Sequence, residues 1–177
     1  MSQQATIMGM AKAPTRIRAA EGGRLPAAVR AVMRTDAGLG PVLLRLTLAA
    51  VIFPHGAQKA LGWFGGYGFE GTMGFFTSMG IPALFGVLAI AAEFLGPIGL
   101  ATGLLTRVAA LGVASVMAVS MLMVHAANGF FMNWFGNKAG EGIEYHLLAL
   151  GISLAVMAMG GGSASADRAL AGGRDGR

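Results

Sequence analysis

Cysteine is absent from this chain, and charged residues are scarce. Without a thiol, the chain alone cannot perform disulfide exchange or thiolate catalysis, and it cannot ligate an iron–sulfur cluster through cysteine. Only 12% of its 177 residues are charged, whereas a typical soluble domain carries about a quarter. Hydrophobic residues make up 55% instead. This composition is typical of a membrane protein, and the length fits one compact domain.

The few charges do not have the distribution expected of a nucleic-acid-binding protein, although the formal net charge is +5. Most basic residues precede the first apolar run or follow the last one, as positively charged cytoplasmic segments of membrane proteins do. We therefore predict a lipid bilayer and no nucleic acid as the partner, and both termini on the cytoplasmic side of a bacterial inner membrane. The basic residues at the two ends are Lys12, Arg16, Arg18, Arg24, Arg30, Arg34, Arg168, Arg174 and Arg177.

Four apolar runs predict four transmembrane helices, over residues 42–61, 83–105, 108–124 and 143–159. A spanning helix needs about 20 residues, so the first three qualify and the fourth lies at the short end of the range. The predicted fold is an all-α integral membrane protein, a four-transmembrane-helix bundle with both termini cytoplasmic. The predicted organisation is a basic extension (1–40), the membrane domain (41–160) and a short tail (161–177).

The end of the basic extension carries a helical pattern. Apolar residues recur at helical spacing from Leu25 to Met33, arginines lie on the opposite side, and Pro26 suits a first helical turn. This pattern predicts a short interfacial helix on anionic lipid, with a disordered cytoplasmic tail as the alternative. The apolar positions are Leu25, Ala28, Val29, Val32 and Met33.

Aromatic residues are concentrated in the two loops predicted to face outward, 62–82 and 126–142. Such a belt is typical of a membrane interface, and it allows re-entrant or short interfacial helices. The glycine-rich stretch 62–74 predicts a tight, irregular connection.

Glu93 is the only charged residue in the run 83–105. A carboxylate inside a membrane helix costs several kcal/mol unless it is paired, protonated or hydrated, so Glu93 is the best candidate for a catalytic residue. Small residues at Ala92, Gly96, Gly99 and Gly103 predict a closely packed neighbouring helix, which places Glu93 inside the bundle. We expect a kink at Pro97.

Further polar residues lie at the same end of the predicted bundle. At 1.5 Å per residue, His55 lies about 9 Å below the outer end of the first span and Glu93 about 15 Å below that of the second, and Lys59 shares a helix face with His55. We predict an outward-open pocket with Glu93 as its floor, while Arg45 and Arg107 lie at the inner end. The predicted lining is His55, Lys59, His125, Glu144 and Tyr145, with His146 nearby.

Each of these residues also has an ordinary structural interpretation. Lys59 could extend to the headgroups, the histidines could be interfacial residues, and Glu144 could cap its helix. For Glu93, the structural alternative is an ion pair with Lys59 or with a histidine.

Motifs along 44–170 resemble the DoxX family of small four-helix membrane proteins, and the combination is more specific than any single piece. The resemblance implies a membrane component of an oxidoreductase system, because one relative is a subunit of a thiosulfate:quinone oxidoreductase and others are implicated in thiol or oxidative-stress handling. The family's motif positions coincide with His55, Lys59, Glu93, His125, Glu144 and Tyr145. The matching pieces are Phe53-Pro54-His55-Gly56, Lys59, residues 62–68, Gly71-Thr72, Gly80-Ile81-Pro82, residues 92–96, residues 103–107, His125, residues 128–131, residues 142–145, and Gly161-Gly162-Ser163 with Asp167.

Three functions remain open on the sequence. The first is a quinone-linked redox subunit that works with other membrane or redox subunits, because the chain has no flavin or dinucleotide motif of its own. The second is a non-enzymatic accessory subunit in a larger membrane complex. The third is a haem or metal protein that uses His55 with His125 or His146. The residues leave the substrate undefined.

Overall fold

The computed structural model describes residues 26–172, and every regular element in that range is helical. The fifth helix continues through a π-helical turn, Met121–His125, and a 3₁₀ turn, Ala126–Asn128. A further 3₁₀ turn, Trp63–Gly65, follows the second helix. The α-helices are α1 (Ala27–Val32), α2 (Gly40–Leu61), α3 (Gly68–Ser78), α4 (Ala83–Thr102), α5 (Thr106–Ser120), α6 (Glu144–Met159) and α7 (Ala166–Leu170).

Within residues 26–172, three helices are long and apolar enough to cross a membrane: α2, α4 and the continuous segment Thr106–Asn128. These are the first three predicted spans. The fourth apolar helix, α6, has 16 residues and is therefore about 24 Å long, less than a hydrocarbon core of about 30 Å. It is short because it begins directly after the loop at Gly142 and ends at Gly160, whose φ of 79° does not continue a helix.

The four apolar helices pack in a ring in the order α2, α4, α5, α6, with α6 returning to α2. Their shared core is apolar, and Ile52, Leu100, Val113 and Val156 are all fully buried in it. Large apolar side chains also cover the outside of the ring. Leu43, Leu88, Leu95, Leu111 and Leu154 are each more than half exposed. This outward-facing apolar surface is the kind that contacts lipid.

Glycines permit the close helix contacts. A Cβ on Gly56 would collide with the backbone of Glu93, so α2 and α4 touch backbone to backbone there. The predicted small-residue stripe faces α5, since Gly96 and Gly99 lie against Ala109 and Val113. Helix α4 continues through Pro97, whose missing N–H removes the helical partner of the Glu93 carbonyl.

Charged side chains hold the end of the bundle where α4 and α6 finish. Arg45 is 2% exposed and donates to the carbonyls of Leu100 (2.6 Å) and Ala101 (2.7 Å) at the end of α4. Arg107 similarly donates to Met157 and, at 2.9 Å, to Ala158 at the end of α6. A cation at a helix C-terminus is favourable because the last carbonyls are unpaired and carry partial negative charge.

At the same end of the bundle, the negatively charged Asp167 lies at the N-terminus of a helix. Its carboxylate accepts hydrogen bonds from the backbone N–H groups of Leu105 (2.7 Å) and Thr106 (2.9 Å), where α5 begins. Although Asp167 follows Thr106 by 61 residues in sequence, it performs the role of an N-terminal cap of α5.

Two local predictions are wrong. The stretch 62–74 is irregular only as far as Tyr67, because the positive φ angles fall at Gly62, Phe64, Gly65 and Gly68, and α3 begins at Gly68. The second span ends at Thr102 and not at Leu105. Gly103 adopts φ 69° and reverses the chain, so it is a helix terminator and not part of the packed stripe.

At the N-terminal end, α1 covers part of the predicted interfacial helix, and Met33 after it is buried. Its contact with lipid stays a prediction. The parts of the prediction that fall on Lys12, Arg16, Arg18, Arg24, Leu25, Arg174 and Arg177 lie outside the described residues.

Candidate functional site

An ion pair between α2 and α4 forms the centre of the candidate site. The Lys59 ammonium contacts Oε2 of Glu93, whose side chain is 3% exposed, while that of Lys59 is 31% exposed. Glu93 is thus buried and points at α2, which confirms that it faces into the bundle. The approach at Gly56 makes this pairing possible, because Gly56 and Lys59 lie on the same side of α2.

A row of rings extends from this pair toward α6 and α5. His55 lies one helical turn before Lys59, and its ring centroid is 6.1 Å from that of Tyr145 at the start of α6. Tyr145 lies 5.5 Å from His146, and His146 lies 4.2 Å from His125, again between centroids. The structure therefore brings His55, Lys59, Glu93, Tyr145, His146 and His125 into one continuous cluster, the ring cluster.

Two buried polar atoms of the ring cluster have no hydrogen-bond partner among the described residues: the Tyr145 hydroxyl and Nδ1 of His146. A buried polar group without a partner costs about 1–3 kcal/mol, so native structures rarely keep one without a reason. Both atoms lie in the part of the bundle that also holds the charged pair. Unsatisfied polar atoms in an otherwise apolar site are what a bound polar ligand or an ordered water would satisfy.

One member of the ring cluster lies at the surface: His55 is exposed although it shares its helix face with the paired Lys59. The outward-open pocket above Glu93 stays a prediction. The roof of aromatic loops predicted for this end stays a prediction. The loop aromatics other than Phe76 are exposed, with Tyr67 at 88% and Phe135 at 90%.

The π-helical turn places His125 in the ring cluster. A π turn inserts one extra residue per turn and so rotates the following side chains relative to a continuous α-helix. Here it occupies Met121–His125. At its last residue, Nδ1 of His125 lies 2.9 Å from the carbonyl of Glu141, and the His125 ring packs on that of His146. Sequence periodicity alone could not have located this turn.

Glu144 is placed differently from the other predicted site residues. Its carboxylate accepts from the backbone N–H of Met132 (3.1 Å), and Glu141 accepts from that of Asn133 (2.6 Å). Both acids thus hold the 129–143 loop. Within residues 26–172 no hydrogen bond joins Glu144 to Lys59, Glu93 or a histidine.

Ser120 also lies beside the ring cluster, although it was not predicted as a site residue: its hydroxyl lies 3.5 Å from Nε2 of His146. A serine near the end of an apolar helix carries no distinguishing signal. For the metal alternative, no group of three or more His, Asp or Glu side chains in the described part of the chain is arranged to hold a metal ion.

Comparison with known proteins identifies the family. The DoxX profile matches residues 40–126, which contain both members of the ion pair and the π turn. A curated protein of Bacillus subtilis (strain 168), named "Putative oxidoreductase CatD", is 30% identical over 118 residues, which cover 67% of this chain and 78% of the relative. The chain belongs to the DoxX family. No solved structure matches it significantly.

DoxX membership agrees with the resemblance found in the motifs, and the family profile reaches from the start of α2 to the end of the π turn. Tyr145 and His146 lie beyond the matched residues. The family profile therefore does not support their place in the ring cluster, which rests on the geometry and, for Tyr145, on the motif resemblance.

Proposed function

We propose that this DoxX protein is a membrane-embedded, quinone-linked component of an oxidoreductase system, and that its ring cluster receives the quinone headgroup. The observation that carries the proposal is that two buried atoms near the charged Lys59–Glu93 pair, the Tyr145 hydroxyl and Nδ1 of His146, have no hydrogen-bond partner within residues 26–172. A quinone headgroup is a flat apolar ring with two carbonyl oxygens, so it suits an apolar site with a few convergent polar groups.

Quinone reduction needs two electrons and two protons for each quinol formed. The electrons come from a partner redox subunit, while residues of this chain handle the protons. Lys59 and the Tyr145 hydroxyl are hydrogen-bond donors that can bind the carbonyl oxygens of the quinone. Glu93 and His146 have ionisable side chains that can take up and release protons. The exposed His55 marks the side on which a ligand could reach the cluster.

The proposal also includes the membrane arrangement. Four crossings with both termini in the cytoplasm of a bacterial inner membrane would place the Arg45–Arg107 end inside and the ring cluster in the outer half. The short α6 completes the fourth crossing only if the bilayer thins or the flanking residues lie at the interface.

A second candidate is a non-enzymatic accessory subunit. The closed Lys59–Glu93 ion pair supports it, because the two groups neutralise each other without any ligand. In that case the cluster is a structural network between α2, α4 and α6.

Quinone content separates the two candidates. The protein, purified from its native membrane in mild detergent, is extracted and its quinone measured per chain. We expect about one quinone per chain. Tyr145→Phe should lower the content severalfold, because it removes the hydroxyl without changing the ring. Tyr67→Phe is the matched control, since Tyr67 is 88% exposed in a loop.

Quinone at the level carried by an unrelated membrane protein would refute the quinone proposal. Glu93→Gln tests the proton role separately. A variant that folds and keeps its quinone but loses activity in the native membrane supports a relay, whereas a fully active one supports the accessory subunit.

A further inference from the structure

A strap of chain lies across the end of the bundle opposite the ring cluster. It runs from α1 to the start of α2 and is tied to the segment that follows α6. The N–H of Asp36 donates to the Met159 carbonyl (2.9 Å), and that of Ser163 donates to the Gly38 carbonyl (3.2 Å). Arg107 adds a bond to the Arg34 carbonyl at 3.1 Å. The strap is therefore a fixed part of the fold.

Between the strap, α5, α6 and α7 lies a cavity of about 630 Å³. Its lining combines small apolar residues with an excess of arginine. The lining residues are Ala27, Arg30, Ala31, Met33, Arg34, Thr35, Asp36, Arg107, Ala158, Arg168 and Ala171.

The charge of this cavity is strongly positive. Four arginines face one acid, Asp36. In the described ranges, the guanidinium groups of Arg30, Arg34 and Arg168 take part in no salt bridge. Arg107 donates its hydrogen bonds to backbone carbonyls, so among the described residues its charge has no acidic partner. Guanidinium groups present paired donors that match phosphate oxygens.

Two exposed leucines, one on α5 and one on α6, each lie one helical turn from a residue that lines the cavity, and together they are the apolar track of this end of the bundle. Leu111 lies one helical turn from Arg107 on α5, and Leu154 lies one turn from Ala158 on α6. Both leucines are more than half exposed, at 52% and 58%. A ligand held at the arginines can therefore lay a hydrocarbon chain along α5 and α6 toward the middle of the membrane.

We propose that this cavity binds an anionic phospholipid, with its phosphate on Arg30, Arg34 and Arg168 and an acyl chain over Leu111 and Leu154. The exposed leucines beside the arginines favour a ligand that carries a hydrocarbon chain over a free phosphate ion. Basic pockets at the end of a transmembrane bundle are suited to lipid headgroups. The proposal does not depend on the quinone assignment, because the two sites lie at opposite ends of the bundle.

Lipid titration tests the proposal. The full chain, delipidated in detergent, is titrated with dioleoyl phosphatidylglycerol, dioleoyl phosphatidylcholine or inorganic phosphate, and bound lipid is counted by native mass spectrometry. We expect clear preference for phosphatidylglycerol. The triple variant Arg30→Gln, Arg34→Gln, Arg168→Gln should weaken its binding roughly 100-fold, from about a fivefold loss for each cation.

Three controls keep the result interpretable. Lys138→Gln removes a cation from the opposite end and should leave binding unchanged. The triple lysine variant retains the charge, so partial recovery shows that the folded cavity survives substitution. Leu154→Ala should weaken phospholipid binding without affecting inorganic phosphate. Equal binding of the two phospholipids, or unchanged phosphatidylglycerol binding in the triple glutamine variant, would overturn the proposal. Competition by inorganic phosphate at the concentration of the lipid would assign the cavity to a free anion instead.

Discussion

Replacing Lys59 and replacing Glu93 should lower the free energy of unfolding by different amounts, although each change breaks the same ion pair. Lys59→Met removes the cation and leaves the Glu93 carboxylate, which is 3% exposed, among apolar helices. Glu93→Gln leaves the Lys59 ammonium, which is 31% exposed and stands near the helix end, where a long side chain can turn outward to water or headgroups.

The magnitudes follow from this difference in burial. Removing one partner of a buried pair typically costs about 3–5 kcal/mol, because the other charge is left uncompensated. We expect that range for Lys59→Met. For Glu93→Gln the remaining charge is partly solvated and the amide keeps hydrogen-bonding capacity, so we expect about 1–2 kcal/mol. The double variant leaves no charge behind and should recover most of the loss caused by Lys59→Met.

A double-mutant cycle measures these differences. The parent, both single variants and the double variant are unfolded in the same detergent, and the free energy of unfolding is followed by circular dichroism. The coupling between the two positions should be at least about 1.5 kcal/mol, well outside the error of additive sites. Equal losses in the two single variants, or losses that simply add in the double variant, would show that the two side chains are not a buried pair.

Three further predictions concern packing, capping and orientation. Gly56→Ala should prevent the normal fold or cost more than about 3 kcal/mol of stability, because its Cβ collides with the α4 backbone. Gly151→Ala is the control: Gly151 has open space around it, so this variant should be neutral or should stabilise the fold by up to about 1 kcal/mol. Thermal unfolding compares the two variants. Asp167→Ala should lower the free energy of unfolding by about 1–2 kcal/mol through loss of the α5 cap, and Asp167→Asn should lower it less. An undiminished melting temperature for the alanine variant would contradict the capping role. In intact cells, a single cysteine that replaces the exposed Lys138 should react with an impermeant thiol reagent, while one that replaces the exposed Leu170 should not. The reverse labelling pattern would invert the proposed orientation.

Local composition was sufficient to predict the four apolar helices α2, α4, α5 and α6 and the burial of Glu93. Long apolar runs become helices in a bilayer because each backbone N–H and C=O needs a partner within its own segment. A lone carboxylate in such a run must face other helices because lipid cannot solvate it. The spacing of His55 and Lys59 predicted a shared face for the same reason, since helical geometry is local.

The partners of these residues depended on how the helices meet. Neither the α2–α4 contact at Gly56 nor the π turn before His125 follows from periodicity, because both result from packing between distant segments. Tertiary structure alone brought Arg45 to the end of α4 and Asp167 to the start of α5, and it directed Glu144 to a loop instead of the cluster. Sequence shows which side chains are costly to bury. The fold decides which group compensates each of them, because a compensating partner has to be near in space and not in sequence.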